Sequence, residues 1–327
     1  MCDFCPVGSE KESSRVKILS LCPMETLSVH ILGCGSALPT TKHNPSAQAL
    51  TLRGKVYLVD CGEGTQLQIR RQGLHFGRIH TIFISHLHGD HCFGLPGLLS
   101  TLSMLGRTGE LHIHGPEGLT EYVDAHRKSF LAECSYEIIT HEHDYRKSEV
   151  IHEDPSLCVR SLPLSHRIPT MGFLFEERCA TRHLDKPAVD FYQVPRSCYP
   201  AILLGESYTA QDGSIIPNNR LTKPGRIPRR YAYCSDTEYF PNLIEQVRGV
   251  DLLYHEATFG EDLRARLAAT AHSTAQQAAT IALKAEVKQL LIGHYSSRYT
   301  DVTPLLDEAR RVFPNTTAAQ EGLIIHL

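Results

Sequence analysis

Ser85-His86-Leu87-His88-Gly89-Asp90-His91 places four potential metal ligands within six residues, directly after the apolar run Ile79-His80-Thr81-Ile82-Phe83-Ile84. That order predicts a buried strand ending in a ligand cluster, so that imidazoles and a carboxylate meet at one sheet edge. Gly89 allows the tight turn such convergence needs. Neutral imidazole and carboxylate are good zinc ligands, and five or six of them can hold two ions. A polar loop with incidental histidines is the competing reading, and an ordered quartet behind a strand argues against it.

Three later segments repeat the placement. Leu164-Ser165-His166-Arg167, Tyr233-Cys234-Ser235-Asp236-Thr237 and Ile292-Gly293-His294-Tyr295 each follow a predicted strand. Each offers one ligand-capable side chain at a strand's C-terminal end, where open sheets build their sites. The tally is His86, His88, Asp90, His91, His166, Asp236 and His294. A carboxylate between two histidine sets is the expected bridge between two zinc ions.

Composition sets outer bounds. The 327 residues suffice for a large core or two ordinary domains, and 42% hydrophobic with 21% charged residues describes a soluble globular chain. The formal net charge of -3 supplies no global positive field, so an anionic partner must be held by local patches or by metal. Nineteen histidines fit a metal enzyme. Eleven cysteines without framework spacing read as reduced thiols of a cytoplasmic protein. Cys2-x-x-Cys5 lacks the second pair that would complete a zinc site and reads as structural. No run reaches membrane-spanning length, and no apolar signal core opens the chain. Met24-Glu25-Thr26 leads straight into a strand, so Met24 is expected to be the working start and residues 1–23 a disordered polar extension.

Alternation and turn residues predict strands at 27–32, 47–52, 55–60, 79–84, 110–114, 136–139, 157–162, 230–234, 251–254, 289–292 and 322–327. Helices are expected at 65–72, 94–105, 116–131, 274–284 and 304–312. Strands mixed with helices suggest sheet layers covered by helices on their outer faces. Residues 176–230 differ: they are rich in proline and glycine and poor in periodicity, and long loops of this kind are usually functional. Their end holds Arg220, Lys223, Arg226, Arg229 and Arg230 with no acid, and the segment reads as a protruding arm.

Several stretches together resemble the metallo-β-lactamase superfamily and, within it, the short form of the ribonuclease Z (tRNA 3′-endonuclease) family. They are Gly33-Cys34-Gly35-Ser36-Ala37-Leu38-Pro39-Thr40, Ser85–His91, Ser165-His166-Arg167, Ser235-Asp236-Thr237, His255-Glu256-Ala257-Thr258, His272-Ser273-Thr274 and Gly293-His294-Tyr295-Ser296-Ser297-Arg298. The resemblance covers nearly all of 24–327. It implies an α/β fold, the αββα four-layer sandwich, with the protruding arm 176–230 inserted in the 24–327 domain. It implies one zinc on His86, His88 and His166, a second on Asp90, His91 and His294, and Asp236 between them. Paired zinc ions lower the pKa of a shared water and neutralise the phosphodiester. Asp90 would also accept the proton of the attacking water, His272 would protonate the leaving oxygen, and Glu256 would orient His272. Ser36, Pro39 and Thr40 would border the site, Arg298 would contact phosphate, and the arm, with Arg220, Lys223 and Arg226, would grip the tRNA across a homodimer. The implied activity is removal of 3′ trailers from precursor tRNA in the cytoplasm, leaving a tRNA 3′-hydroxyl.

The sequence departs from the family where the arm reads Tyr199-Pro200-Ala201-Ile202-Leu203-Leu204-Gly205, apolar and lysine-free in place of a lysine-rich tip. The competing reading is another phosphodiesterase or arylsulfatase-like hydrolase on the same dinuclear scaffold. A tRNA-binding protein without catalysis is disfavoured by the complete ligand set. Cys92 is expected to pack as a small apolar residue. His112-Ile113-His114 and His141-Glu142-His143 lack matching partners in the sequence and are read as structural.

Overall fold

The computed structural model describes residues 26–130, 134–178 and 182–327. The expectations for residues 1–23, Cys2-x-x-Cys5 and Met24 lie outside the described residues. Two seven-stranded sheets face each other. The first runs in the order Ile324–His326, Ser28–Gly33, Ala47–Leu52, Lys55–Val59, Ile79–Phe83, Leu111–Pro116 and Ile138–His143. The second runs Thr316–Ala318, Gln289–Gly293, Leu252–Glu256, Arg230–Cys234, Met171–Glu177, Leu157–Pro163 and Val150–Glu153. In the first sheet, pairing is antiparallel as far as Lys55–Val59 and parallel from there to Ile138–His143. The second has an antiparallel half and a parallel half that starts at Arg230–Cys234.

Burial along the central strands is continuous rather than alternating, even at polar positions such as His30, His255 and Glu256. Every residue of Ser28–Gly33 and Leu252–Glu256 is buried, as expected for strands covered on both faces. Phe83, Tyr57 and Val59 of the first sheet share one core with Phe173, Phe175, Tyr231 and Tyr233 of the second. Ala278, Ile281 and Ala282 of the helix Ala275–Lys284 belong to that same core. A second cluster joins Leu58, Ile82 and Ile113 to Leu95, Leu98, Leu99 and Leu102 of the helix Leu95–Met104. Helix, sheet, sheet and helix thus form the four layers expected. The helix Ala275–Lys284 begins in a capping box between Thr274 and Gln277, with Thr274 as the cap.

Three strands of the two large sheets escaped the sequence reading: Val150–Glu153, Met171–Glu177 and Thr316–Ala318. The two His-x-His pairs, read as lacking partners, meet each other across neighbouring strands. His112 Nδ1 lies 3.0 Å from His141 Nε2, and His114 Nδ1 lies 3.1 Å from His143 Nε2. The segment between Met171–Glu177 and Arg230–Cys234 is better ordered than its composition suggests. Arg182–Leu184 pairs with Thr222–Pro224, and between them Val189, Val194, Ile202, Ile216 and Leu221 bury a small core of their own. At its foot the buried Glu177 receives Arg229 Nε at 2.7 Å and also pairs with Arg226, while Arg230 Nε bonds Glu176 at 3.0 Å. Three of the five basic residues at the segment's end therefore tie it to the sandwich.

Two loops near the metal quartet meet glycine to glycine. A Cβ on Gly94 would sit 2.1 Å from the Gly62 carbonyl oxygen and 2.8 Å from that of Cys61. Gly94→Ala is expected to cost about 1–3 kcal/mol, the range of core overpacking, read as a lowered urea midpoint with unchanged slope.

Candidate metal centre and active site

Five strand ends deliver the site. Asp60 follows Lys55–Val59, the quartet follows Ile79–Phe83, His166 follows Leu157–Pro163, Asp236 follows Arg230–Cys234, and His294 follows Gln289–Gly293. The seven predicted ligands converge there. His86, His88, His166 and Asp236 form one group of ligand atoms within 4.8 Å of one another, and Asp90, His91 and His294 form another. Asp236 joins them. Its Oδ1 lies 3.1 Å from both His91 Nε2 and His294 Nε2, while Oδ2 lies 3.5 Å from His86 Nε2 and 3.7 Å from His166 Nε2.

The donor set fits a pair of hard-to-borderline cations. His166 Nε2 is buried and makes no hydrogen bond, although its Nδ1 is committed to the Ala271 carbonyl at 2.9 Å. Three of the other four rings also have their second nitrogen occupied. His91 Nδ1 bonds Asp60 at 2.7 Å, His294 Nδ1 bonds Thr258 Oγ1 at 2.9 Å, and His86 Nδ1 meets Ser85 Oγ at 3.0 Å. Such partners fix ring orientation and raise ligand basicity. Burial depresses the basicity of His86 and His166. Burial opposes charge on His91 as well, but Asp236, Asp60 and Asp90 override it and hold the ring protonated without a cation.

Asp60 was missed by the sequence reading, which placed it at the end of a hairpin. It is fully buried and accepts from Ser85 N at 2.7 Å, Ser85 Oγ at 2.9 Å, and Tyr233 Oη at 2.6 Å, besides His91. Its only signal in the sequence is an aspartate at a strand end followed by Cys-Gly.

Glu256 and His272 lie beside the ligand groups. His272 Nδ1 is 2.9 Å from Glu256 Oε1, and the same carboxylate accepts from Thr237 N at 2.7 Å and Ser273 N at 3.1 Å. Burial works against a charged His272, but Glu256 outweighs it and the imidazole is pushed up to about 9. The His272 ring stands 5.1 Å from His166 and 5.3 Å from His294, centroid to centroid.

A cleft of 430 Å³ opens over these groups, lined by Asp90, Asp236 and His272 and rimmed by Ser36, Pro39, Phe93 and Arg167. Ala37 N holds Asp90 Oδ2 at 2.7 Å, which ties the rim loop to a candidate ligand. Thr40 does not line this cleft. Its Oγ1 closes its own turn on His43 N at 2.9 Å, and it borders a neighbouring pocket. Arg298 is exposed and also lies outside the cleft lining. Arg167, named in the sequence only as part of a motif, is the cation that faces the cleft. In the inserted segment, Lys223 pairs with Asp185 at 3.1 Å and Arg226 with Glu177, while Arg220 is exposed.

The sandwich and its paired ligand groups define a metallo-β-lactamase-fold hydrolase. The metallo-β-lactamase fold protein YhfI from Bacillus subtilis superimposes with a TM-score of 0.66 at 18% identity, covering 93% of this chain and 100% of that one. Human tRNase Z, short form, superimposes with a TM-score of 0.66 at 27% identity, covering 91% of this chain and 98% of its own. A ribonuclease Z of Porphyromonas gingivalis is 58% identical over 304 residues, which are 93% of this chain and 100% of the relative. The chain belongs to the ribonuclease Z family. A family model described as Anti-Pycsar protein Apyc1 also matches residues 27–162, a stretch that holds the His86–His91 quartet but not His166, Asp236 or His294. Among the described residues, no helix is long and apolar enough to cross a membrane.

Asp60→Asn removes the carboxylate behind His91 while keeping its size. Loss of an outer partner of this kind typically costs 10–100-fold in metal affinity, so competition with a chelator is expected to show a weakening of about that size.

Proposed function

We propose that this chain is a metal-dependent endoribonuclease that removes 3′ trailers from precursor tRNA, cutting 3′ of the discriminator base. The observation that carries the reading is the meeting of Asp236 with both ligand groups inside a chain 58% identical to a ribonuclease Z over 304 residues. His86, His88 and His166 would hold one zinc ion, Asp90, His91 and His294 a second, with Asp236 between them. When bound, the ions supply charge neutralisation of the phosphodiester and activation of water near neutral pH.

The chain's own groups account for the proton traffic. Asp90 lines the cleft and would take the proton that the attacking water gives up. His272, held by Glu256 through Nδ1, would carry a proton on Nε2 and give it to the departing O3′. The P–O3′ bond breaks, the tRNA keeps a 3′-hydroxyl and the trailer keeps a 5′-phosphate. Arg167 would contact a phosphate beside the scissile one. Phe93, 62% exposed on the rim, offers a ring face on which an unpaired base can stack. Ser36 and Pro39 would border the RNA end.

The inserted segment would bind the body of the tRNA. Its separate small core supports a module that docks at a distance from the cleft. The exposed Arg220 and the outer edge of Lys223 are its candidate phosphate contacts, with Arg226 shared with Glu177. We infer that the enzyme works in the cytoplasm, and that it acts as a homodimer, as the family resemblance implies.

Incubation with a precursor tRNA bearing a 3′ trailer, with mapping of the new ends, is expected to give one cut after the discriminator base, abolished by a chelator. No cut at that position would overturn the reading. His272→Ala is expected to lower kcat by about 10²–10⁴, the worth of general acid catalysis, with metal content unchanged. Replacing residues 186–220 by a short glycine turn closes the Arg182–Leu184 and Thr222–Pro224 pair. That variant is expected to lose precursor tRNA cleavage while retaining hydrolysis of bis(p-nitrophenyl) phosphate; equal loss of both would count against a substrate-gripping arm.

A further inference from the structure

A second cluster of ligand-type side chains lies behind the rim loop, away from the cleft. Cys34 follows the strand Ser28–Gly33, His43 sits at the far end of the loop, and Glu321 belongs to the turn before Ile324–His326. These three offer ligand atoms within 4.8 Å of one another. Cys34 Sγ is 3.4 Å from His43 Nδ1 and 3.8 Å from Glu321 Oε1, and His43 Nδ1 is 3.0 Å from Glu321 Oε2.

We infer that Cys34, His43 and Glu321 form a separate mononuclear site for a divalent cation of the zinc class. The spacing is the first argument. Zinc bonds of about 2.3 Å to sulfur and about 2.0–2.1 Å to nitrogen and oxygen, set at tetrahedral angles, place ligand atoms roughly 3.4–3.6 Å apart. The three separations bracket that range, and they match those inside the candidate dinuclear centre, where Asp236 Oδ1 and His91 Nε2 are 3.1 Å apart. The ligand chemistry is the second argument. One thiol, one imidazole and one carboxylate make a set that zinc takes readily, with a fourth position left for water. Orientation is the third. Asn44 N fixes Glu321 Oε1 at 2.7 Å, and the His43 ring packs 5.7 Å from Tyr295. A pocket of 150 Å³ lies beside His43 and Tyr295, though neither Cys34 nor Glu321 lines it.

Cys34 is fully buried, and burial together with the Glu321 charge pushes its thiol up. A bound cation reverses that balance: the thiol proton is released to solvent and the thiolate becomes the ligand. The bound ion would join the loop 34–44 to the C-terminal turn. That loop also carries Ala37, whose N–H holds Asp90, so the ion would brace one wall of the cleft.

The test is cobalt(II) titration of the full-length metal-free chain. Thiolate–cobalt charge transfer absorbs in the near ultraviolet, and imidazole–carboxylate sites lack it. None of the seven candidate ligands of the dinuclear centre is a cysteine, so the band reports on this site whether or not the nuclease reading holds. The wild type is expected to develop the band with one equivalent of cobalt beyond those taken by the other centre. Cys34→Ser and His43→Gln are each expected to lose the band and to bind one equivalent fewer by elemental analysis. Since Cys34 is buried, His43→Gln carries the comparison if the serine variant fails to fold. A wild type that saturates without the band would mean a hydrogen-bonded triad only, and a folded His43→Gln that keeps the band would assign it to another cysteine; either result overturns the site.

Discussion

The centre depends on one buried carboxylate serving two groups at once. Asp236 Oδ1 faces His91 and His294 and Oδ2 faces His86 and His166, so each carboxylate oxygen meets one ring delivered by each sheet. Five imidazoles and two carboxylates in a water-poor space would cost several kcal/mol per uncompensated charge. Asp236 offsets part of this: burial pushes its pKa up, but His294, His91 and His86 hold it well below the usual carboxylate range. His166 Nε2 stays without a hydrogen-bond partner in the interior, where a cation of the proposed centre would sit. Everything else in the sandwich serves to bring strand ends from two sheets within bonding distance of that one side chain.

Bringing them there requires backbone that ordinary residues avoid. Asp60, Asp236 and His294 all adopt left-handed φ values, 57°, 55° and 60°. Such positions cost on the order of 1–3 kcal/mol each and persist only where the surroundings over-determine them. The surroundings do so here through hydrogen bonds rather than packing alone. Asp60 gathers Ser85, His91 and Tyr233. Glu256 gathers Thr237, Thr258, His272 and Ser273, so a single carboxylate links the Asp236 turn, the His294 partner and the His272 loop. Both are buried anions at parallel strand ends, and both fasten residues that would otherwise relax into extended backbone.

Much of this was legible in the sequence. The Ile79–Ile84 run followed by His-x-His-x-Asp-His identifies a strand and a cluster in one reading, because apolar burial and ligand type are local properties. His166, Asp236 and His294 were legible because each follows an apolar strand. Asp60 was not, because its role is to hold His91, thirty-one positions away, and nothing in its own neighbourhood distinguishes it from a turn aspartate. The pairing of His112 with His141 was hidden for the same reason: it depends on the parallel register of two strands. The strand Met171–Glu177 could have been found, since Met-Gly-Phe-Leu-Phe is apolar; its proximity to the proline-rich insertion obscured it. Thr40 and Arg298 were placed by motif neighbourhood, and side-chain direction took them out of the cleft lining.

The inserted segment shows why composition misleads at its tip. Tyr199–Leu203 forms a short helix whose Ile202 is buried against Val189, Val194, Ile216 and Leu221. Ile202 and Tyr199 of this stretch serve the segment's own core, whereas Leu204 is exposed. The basic residues that follow it are spent largely on the junction, where Glu177 and Glu176 hold Arg226, Arg229 and Arg230. At the cleft an anionic partner meets Arg167 beside the candidate cation sites. Affinity for a polyanion is set by how many phosphates are neutralised, so on a chain of net charge -3 cations held at the proposed centre would add to binding as well as to bond cleavage.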